Sequence, residues 1–244
     1  MSTRSYTAAG AIVLGTKNTL LQLERAHEQA NYHIIQKGEI PDGRCEMVTT
    51  QAFQVPYPDN INKLYSRYNP EKIYLCREKS LEGCLERDLQ RAKRLPRVGM
   101  GVQRLFKESP PEIWQQLHKR DIHMLLGYEP FSSAVFQKNR SYDCADISFF
   151  AGRLDGDDIL TGAKREVSEE LNTIFPDVVW TPEFQNKMRI KYQCENVPLS
   201  YTLGWGKDHD KLQKIYILMI PDEYLSFEWD ETCQMFRLVN IFEF

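Results

Sequence analysis

Apolar positions run in short bursts near both ends of the chain and recur at helical spacing through its middle. "AAGAIVL" (8–14) and "TLLQLER" (19–25) read as two short strands, with "GTKN" as the hairpin turn between them. Residues 27–80 hold Pro56, Pro58 and Pro70 and keep no period, so they read as mostly loop with a strand or two. Within them "YHIIQKGEIPDG" (32–43) has the look of a strand and turn. Leu81, Leu85, Leu89 and Ala92 then mark one face of a helix that Pro96 ends. A second helix is predicted over 109–127, opened by Ser-Pro-Pro and Glu112 and closed by Gly127, with Ile113, Trp114 and Leu117 on its apolar face. "FSSAVFQ" (131–137) and "ADISFFAG" (145–152) read as strands, and a helix follows from about 158 to 171. "KMRIKYQC" (187–194), "LSYTLGW" (199–205), "KIYILMI" (214–220) and "CQMFRLVNI" (233–241) alternate well enough for four more strands.

Strands at both ends around a helical middle predict one α/β domain with an insertion. Its first part is 1–26, the inserted lobe is 27–127, and 128–244 completes the domain. Insertion is physically cheap because loop closure costs grow slowly with length. At 244 residues, with twelve Phe and twelve Tyr, there is material for a sizeable core. Net charge is −3, which argues against a protein basic all over. No apolar run approaches the roughly 20 residues of a membrane span, and the first residues lack the layout of a secretory signal. Cys45, Cys76, Cys84, Cys144, Cys194 and Cys233 form no CxxC, so neither a zinc site nor a disulfide framework is expected. These features together predict an intracellular, cytoplasmic protein with no membrane partner.

The chemistry concentrates in "AGRLDGDDILTGAKREVSEELN" (151–172). In a helix, Glu166, Glu169 and Glu170 fall at i, i+3 and i+4 and project from one face, while Leu160, Ala163, Val167 and Leu171 form an apolar stripe. Clustered carboxylates repel one another by a few tenths of a kcal/mol per exposed pair. A divalent cation reverses that sign, and hard oxygen ligands suit Mg²⁺ or Mn²⁺ beside substrate phosphates. On spacing alone, a solvated helix face is the plainer reading.

The glycine turn, the acid eight residues before the arginine, and "REVSEE" together resemble the Nudix box. That pattern runs Gly, five residues, Glu, seven residues, Arg-Glu, an aliphatic residue, any residue, Glu-Glu, any residue, Gly. Arg165, Glu166, Val167, Ser168, Glu169 and Glu170 match it fully. Upstream, Asp157 stands at the acid position and Ala151 at the first glycine, with Gly152 one place late; aligning Gly152 instead selects Asp158. The last glycine is Asn172, which also tolerates a left-handed backbone. The resemblance implies an α/β/α sandwich with a mixed sheet. It implies hydrolysis of a diphosphate linkage by water activated by divalent ions. Glu166, Glu169 and Glu170 become metal ligands, with Glu169 or Glu166 as proton acceptor, while Arg165 holds the loop through the upstream acid and Gly152 meets substrate. Nudix enzymes often draw another carboxylate from outside the box. "FEWDETCQMFRL" (227–238) offers Glu228, Asp230 and Glu231, of which Glu231 sits best before the last strand. The earlier "IIQKGEIPDG" superficially resembles the start of such a box but lacks the paired acids.

The lobe bears on the substrate. From Arg77 to Arg120 there are 11 Lys or Arg against six Asp or Glu, a local excess of +5 that leaves −8 for the rest. Arg91, Lys93, Arg94 and Arg97 cluster in "RDLQRAKRLPR". Such a stripe is either an ordinary solvated face or an RNA contact, and cations on phosphates supply most non-specific RNA affinity. A Nudix domain split near its amino end is similar to the mRNA-decapping enzymes of large DNA viruses, whose strand-and-loop entry into the box "ADISFFAGRLDG" also resembles. That resemblance implies capped mRNA as substrate in a host-cell cytoplasm, with release of methylated GDP and 5′-monophosphate RNA. Tyr201, Trp205 and Trp229 are loose candidates to stack on the methylated guanine. Two alternatives stay open: hydrolysis of free nucleotides such as ADP-ribose or dinucleoside polyphosphates, and an inactive Nudix-like module that binds RNA or protein.

Overall fold

A computed structural model describes residues 5–37, 49–54, 97–128, 146–205 and 210–239. Strand β1 (Ser5–Thr16) runs straight into helix α1 (Lys17–Lys37), and β2 (Thr49–Gln54) follows. Next come β3 (Arg97–Val98), α2 (Met100–Glu108), α3 (Pro111–Lys119), β4 (Ile122–Tyr128), β5 (Asp146–Ser148) and β6 (Phe150–Arg153). The box helix is α4 (Ile159–Leu171), followed by β7 (Thr173–Ile174), α5 (Pro182–Lys191), β8 (Ser200–Trp205), β9 (Lys211–Met219), β10 (Phe227–Asp230) and β11 (Met235–Leu238).

The class is mixed α/β. The main sheet has the order β3-β5-β4-β1-β9-β8, with β2 also on β4 and β6 also on β1. Its centre is β1, parallel to β9 on one edge and antiparallel to β6 and then β4 on the other. Consecutive residues Ala11, Ile12, Val13 and Leu14 are fully buried. Neighbouring strand residues point to opposite faces, so both faces of β1 are covered. The box helix packs on β1, β6 and β9, and α5 packs on β9. A second small sheet, β10-β11-β7, places Phe227, Trp229 and Phe236 against Ala26 and Ala30 of α1.

Three expected strands are helical or end elsewhere. "TLLQLER" is the start of α1. The Thr16 hydroxyl accepts from Thr19 N at 3.2 Å, the bond of a helix N-cap, so "GTKN" starts a helix and makes no hairpin. Leu20, Leu23, His27 and Ala30 then form the buried stripe, and Leu21 faces outward. The same helix extends through 32–37, where a strand was expected. "KMRIKYQC" belongs to α5: Thr181 caps it at Phe184 N (3.3 Å), Pro182 stands at its first turn, and Phe184, Gln185, Met188 and Arg189 are buried at helical spacing. The helix predicted over 109–127 stops at Lys119. Asp121 turns left-handed (φ 55°), and Ile122–Tyr128 becomes β4, buried on both faces, an apolar run that periodicity cannot tell from a helix.

Residues 100–127, expected inside an inserted lobe, share the main core through Val102, Leu105, Phe106, Trp114 and Leu117, and β4 pairs directly with β1. The helix expected over 81–96 and the strand at 131–137 lie outside the described residues.

Candidate functional site

The box loop is built on backbone pairing. β6 lies antiparallel to β1, with Gly152 opposite Ala9 and Arg153 opposite Ala8. Leu154 N then donates to Thr7 O (3.2 Å), and Asp157 N to Leu154 O (2.9 Å), which folds the loop back. Asp155 (φ 50°) and Gly156 (φ 99°) take the left-handed corner. Asp158 caps α4, accepting from Leu160 N (3.0 Å), Thr161 N (3.1 Å) and the Thr161 hydroxyl (2.6 Å). The helix ends at Asn172 in the left-handed conformation (φ 48°, ψ 38°), the role a glycine would fill.

Arg165 is the hub. Its Nε donates to Asp157 Oδ2 at 2.9 Å, and its Nη2 to Arg153 O at 2.7 Å. Its Nη1 donates to Glu166 Oε1 at 2.7 Å and reaches Glu169 Oε2 at 3.4 Å. One guanidinium thus joins strand end, loop and helix, using the rigid fork that suits Arg to carboxylates. The hydrogen bond that Arg165 donates to Asp157 is the first cause holding its pKa above the ordinary value, and Glu166 and Glu169 add to it. The two ways of aligning the loop are separated by this geometry: Asp157 pairs with Arg165, and Asp158 is the helix cap.

Glu166 is more enclosed than Glu169, its side chain 12% exposed against 53%. Burial raises the Glu166 carboxyl above its usual range, and Arg165 opposes the rise without cancelling it. The carboxylate lies over Gly152, where a Cβ would come within 2.0 Å of Glu166 Oε2. Gly152 leaves the room that the Glu166 carboxylate occupies. Ala151 takes the first-glycine position on the opposite face, beside Gly10. Glu170 is half-buried on the same helix.

Glu231 is exposed in the turn between β10 and β11. Phe236 N donates to Asn172 O (3.0 Å), and β11 runs parallel to β7, so that turn lies toward the C-terminal end of α4, where Glu169 and Glu170 sit. Glu228 is exposed, and Asp230 is tied to Arg237 Nε (2.6 Å) and the Thr232 hydroxyl (2.5 Å). Among the described residues no group of three or more His, Cys, Asp or Glu stands arranged to hold a metal ion. Glu166 and Glu169 are both turned to Arg165. The donors themselves fit a hard divalent cation: all are carboxylates, on one helix face, with the partly desolvated Glu166 seated in a cleft that any larger residue at 152 would fill.

Arg97 begins β3, while Arg91, Lys93 and Arg94 lie outside the described residues. Tyr201 is half-buried, with Ser109 at the end of α2 beside its hydroxyl. Trp205 donates to the Thr7 hydroxyl (3.1 Å) under the Lys211 ammonium, and Trp229 packs on Phe236 at 5.1 Å. Tyr216 lies beside Asp158 at the start of the box helix. Burial is the first cause raising its phenol pKa, and Asp158 and Tyr6 contribute. Its signal was present in "KLQKIYILM", where Tyr216 alternates with Ile215 and Ile217.

No family model matches this chain, and no curated protein and no solved structure matches it. Among the described residues no helix is long and apolar enough to cross a membrane.

Proposed function

We propose that this protein is a metal-dependent Nudix-type diphosphohydrolase whose substrate is the 5′ cap of mRNA, releasing m7GDP and 5′-monophosphate RNA. The observation that carries the reading is Arg165, which ties Asp157 of the loop to Glu166 and Glu169 of the helix at 2.9, 2.7 and 3.4 Å. A solvated acidic face has no use for an arginine that also locks the preceding strand through Arg153 O.

Glu166, Glu169 and Glu170 would hold Mg²⁺ or Mn²⁺, with Glu231 from the neighbouring hairpin. The ion's contribution is positive charge against the diphosphate oxygens and a more acidic attacking water. The chain's own residues do the rest. Glu166, its carboxyl pKa raised by burial, is a suitable proton acceptor, and Glu169 on the same face is the other. Arg165 positions both acids. In the same reading Arg91, Lys93, Arg94 and Arg97 bind the RNA body, with an affinity that falls steeply as salt rises.

The test is product analysis with Mg²⁺ or Mn²⁺ on cap-labelled RNA, free cap dinucleotide and ADP-ribose, with Glu170→Gln as control. Labelled m7GDP released from RNA alone supports decapping. Cleavage of only the free nucleotides keeps the chemistry and removes the RNA. Silence on all three defeats the enzyme reading in favour of a binding module.

A further inference from the structure

The box loop is held from outside by a residue that interrupts the pairing of β1. Against β9, Tyr6 pairs with Leu212 and Ala8 with the next residue, Gln213, so Thr7 is an extra residue between them. Such a bulge re-aims the groups of the residue it inserts. The Thr7 carbonyl accepts from Leu154 N at 3.2 Å, one position past the end of β6. The Thr7 hydroxyl accepts from the Trp205 indole N–H at 3.1 Å. One bulged residue therefore joins the box loop to strand β8.

Trp205 is the fixed end of this link. It closes β8, where it pairs with Lys211 of β9, and the Lys211 ammonium lies 5.1 Å from the centre of its ring. The neighbouring Gly204 carbonyl accepts from the Arg104 guanidinium, which ties the same strand end to α2. The indole N–H and a face of the ring are thus engaged within the chain.

Leu154 is the loop end. Its carbonyl accepts from Asp157 N at 2.9 Å. Its side chain fills the space that Gly162 of α4 leaves open, since a Cβ there would come within 2.6 Å of Leu154 Cδ2. Asp157 then accepts from Arg165 Nε at 2.9 Å, and Arg165 Nη1 donates to Glu166 at 2.7 Å. Hydrogen bonds therefore run without a break from Trp205 through Thr7, Leu154, Asp157 and Arg165 to Glu166.

We infer that Thr7 and Trp205 are positioning residues of the box. The indole N–H sets the bulge, and the bulge sets where the loop presents Asp157 to Arg165, and hence where Glu166 and Glu169 stand. Trp205 acts through the loop, not as a ring stacked on a base. What the loop serves rests on the proposed diphosphohydrolase reading; the link itself rests on the register shift and the bonds.

The test uses full-chain variants. Trp205→Phe keeps an aromatic ring and drops the N–H, Thr7→Val keeps the shape and drops the hydroxyl, and Thr7→Ser keeps the hydroxyl. Amide hydrogen exchange is followed at Leu154 and Asp157, with Ile217 of β9 as internal reference, and Mn²⁺ affinity is titrated. Exchange at Leu154 and Asp157 should rise about five- to tenfold in Trp205→Phe and in Thr7→Val, the worth of one neutral hydrogen bond, and stay near native in Thr7→Ser. Combining the first two should add little, because both cut the same bond. Mn²⁺ affinity should fall about threefold or more, below the roughly 10–100-fold typical of groups that bond a metal ligand directly. On a diphosphate, kcat should fall with KM unchanged. Native exchange in both variants overturns the inference, and so does faster exchange with native Mn²⁺ affinity, the result of a merely structural tie. A raised KM with native exchange would make Trp205 a substrate contact and overturn it too. Urea midpoints establish folding, and Thr7→Val keeps the test open if Trp205→Phe is unfolded. Turnover with an Mn²⁺ affinity independent of Thr7 and Trp205 removes the positioning role and keeps the enzyme. Mn²⁺ affinity that depends on both residues, without turnover, keeps the positioning role and removes the enzyme.

Discussion

Gly152→Ala isolates the seating of Glu166 from the stability of the fold. The added methyl would lie 2.0 Å from Glu166 Oε2 and 2.3 Å from Glu166 Cδ, so the whole carboxyl group must swing away. The side chain is flexible, so the clash itself is relieved cheaply. What is lost is the 2.7 Å bond from Arg165 Nη1. A hydrogen bond between charged groups is worth about 1.5–3 kcal/mol when well buried. Arg165 is 30% exposed and retains Asp157 and Arg153 O, so about 1 kcal/mol is the appropriate discount. Against this, alanine in a strand gains roughly 0.5–1 kcal/mol over glycine through backbone entropy. The two nearly cancel, and urea unfolding should move by less than about 1 kcal/mol. Activity should not cancel. Displacing a catalytic carboxylate by about 1 Å costs on the order of 100-fold in turnover. In a Glu166→Gln background the same glycine change should cost little more, because the two substitutions disable one group. Hydrolysis of the preferred diphosphate by the four proteins of this cycle, with urea curves for each, is the assay. Normal turnover in Gly152→Ala, or fully multiplicative losses in the double variant, would refute the role given to the Glu166 position.

Arg189 supports the sheet from behind. It is 2% exposed, and its N–H groups donate to the carbonyls of Val197, Gln185, Pro198 and Ile217 and to Gln185 Oε1, all at 2.7–3.0 Å. Arg189→Met should cost roughly 3–5 kcal/mol in urea unfolding, since buried carbonyls lose their donors; a loss under about 1 kcal/mol would show that water replaces them. Asn172→Ala forces alanine into φ 48° and should cost about 1–2 kcal/mol, with Asn172→Gly near neutral; equal stability of all three would mean the helix end can relax. Burial pushes the Cys194 thiol up to about 11, and Cys194 Sγ donates to Tyr192 O. The native state thus keeps this proton over a range where the unfolded chain loses it. This contribution to stability is complete below the unfolded thiol pKa, near 8.5, and falls as pH rises toward 11. Peptide mapping after iodoacetamide at pH 8 should find Cys233 labelled well before Cys194; equal rates would contradict the burial.

The box was legible in the sequence because it is local. Glu166, Glu169 and Arg165 lie within one helical turn or so, and their common face follows from 3.6-residue geometry alone. Asp157 against Asp158 was not legible, because the two offer the same carboxylate one position apart. Their roles separate only when the loop closes: one accepts from Arg165 Nε and the other from the backbone of the first turn. The misread elements have the same origin. "TLLQLER" alternates well enough for a strand, and what makes it a helix is a Thr16 cap together with the buried stripe Leu20, Leu23 and His27. His27 Nδ1 stands 3.0 Å from Leu171 O, a contact with the end of the box helix that no window of neighbouring residues contains.

Lys214 shows what such a reading omits. It is 62 positions from Gly152, and only the pairing of β6 with β1 and of β1 with β9 puts the two in one row. The alternation of "KLQKIYILM" does place Lys214 and Tyr216 together on the face away from Ile215 and Ile217. It cannot say which face the acidic helix occupies. That is decided by Gly152, the residue without a side chain, since Glu166 can lie only where a Cβ is missing. One glycine therefore fixes the side of the sheet on which the acids stand. The registers then extend that side to Lys214.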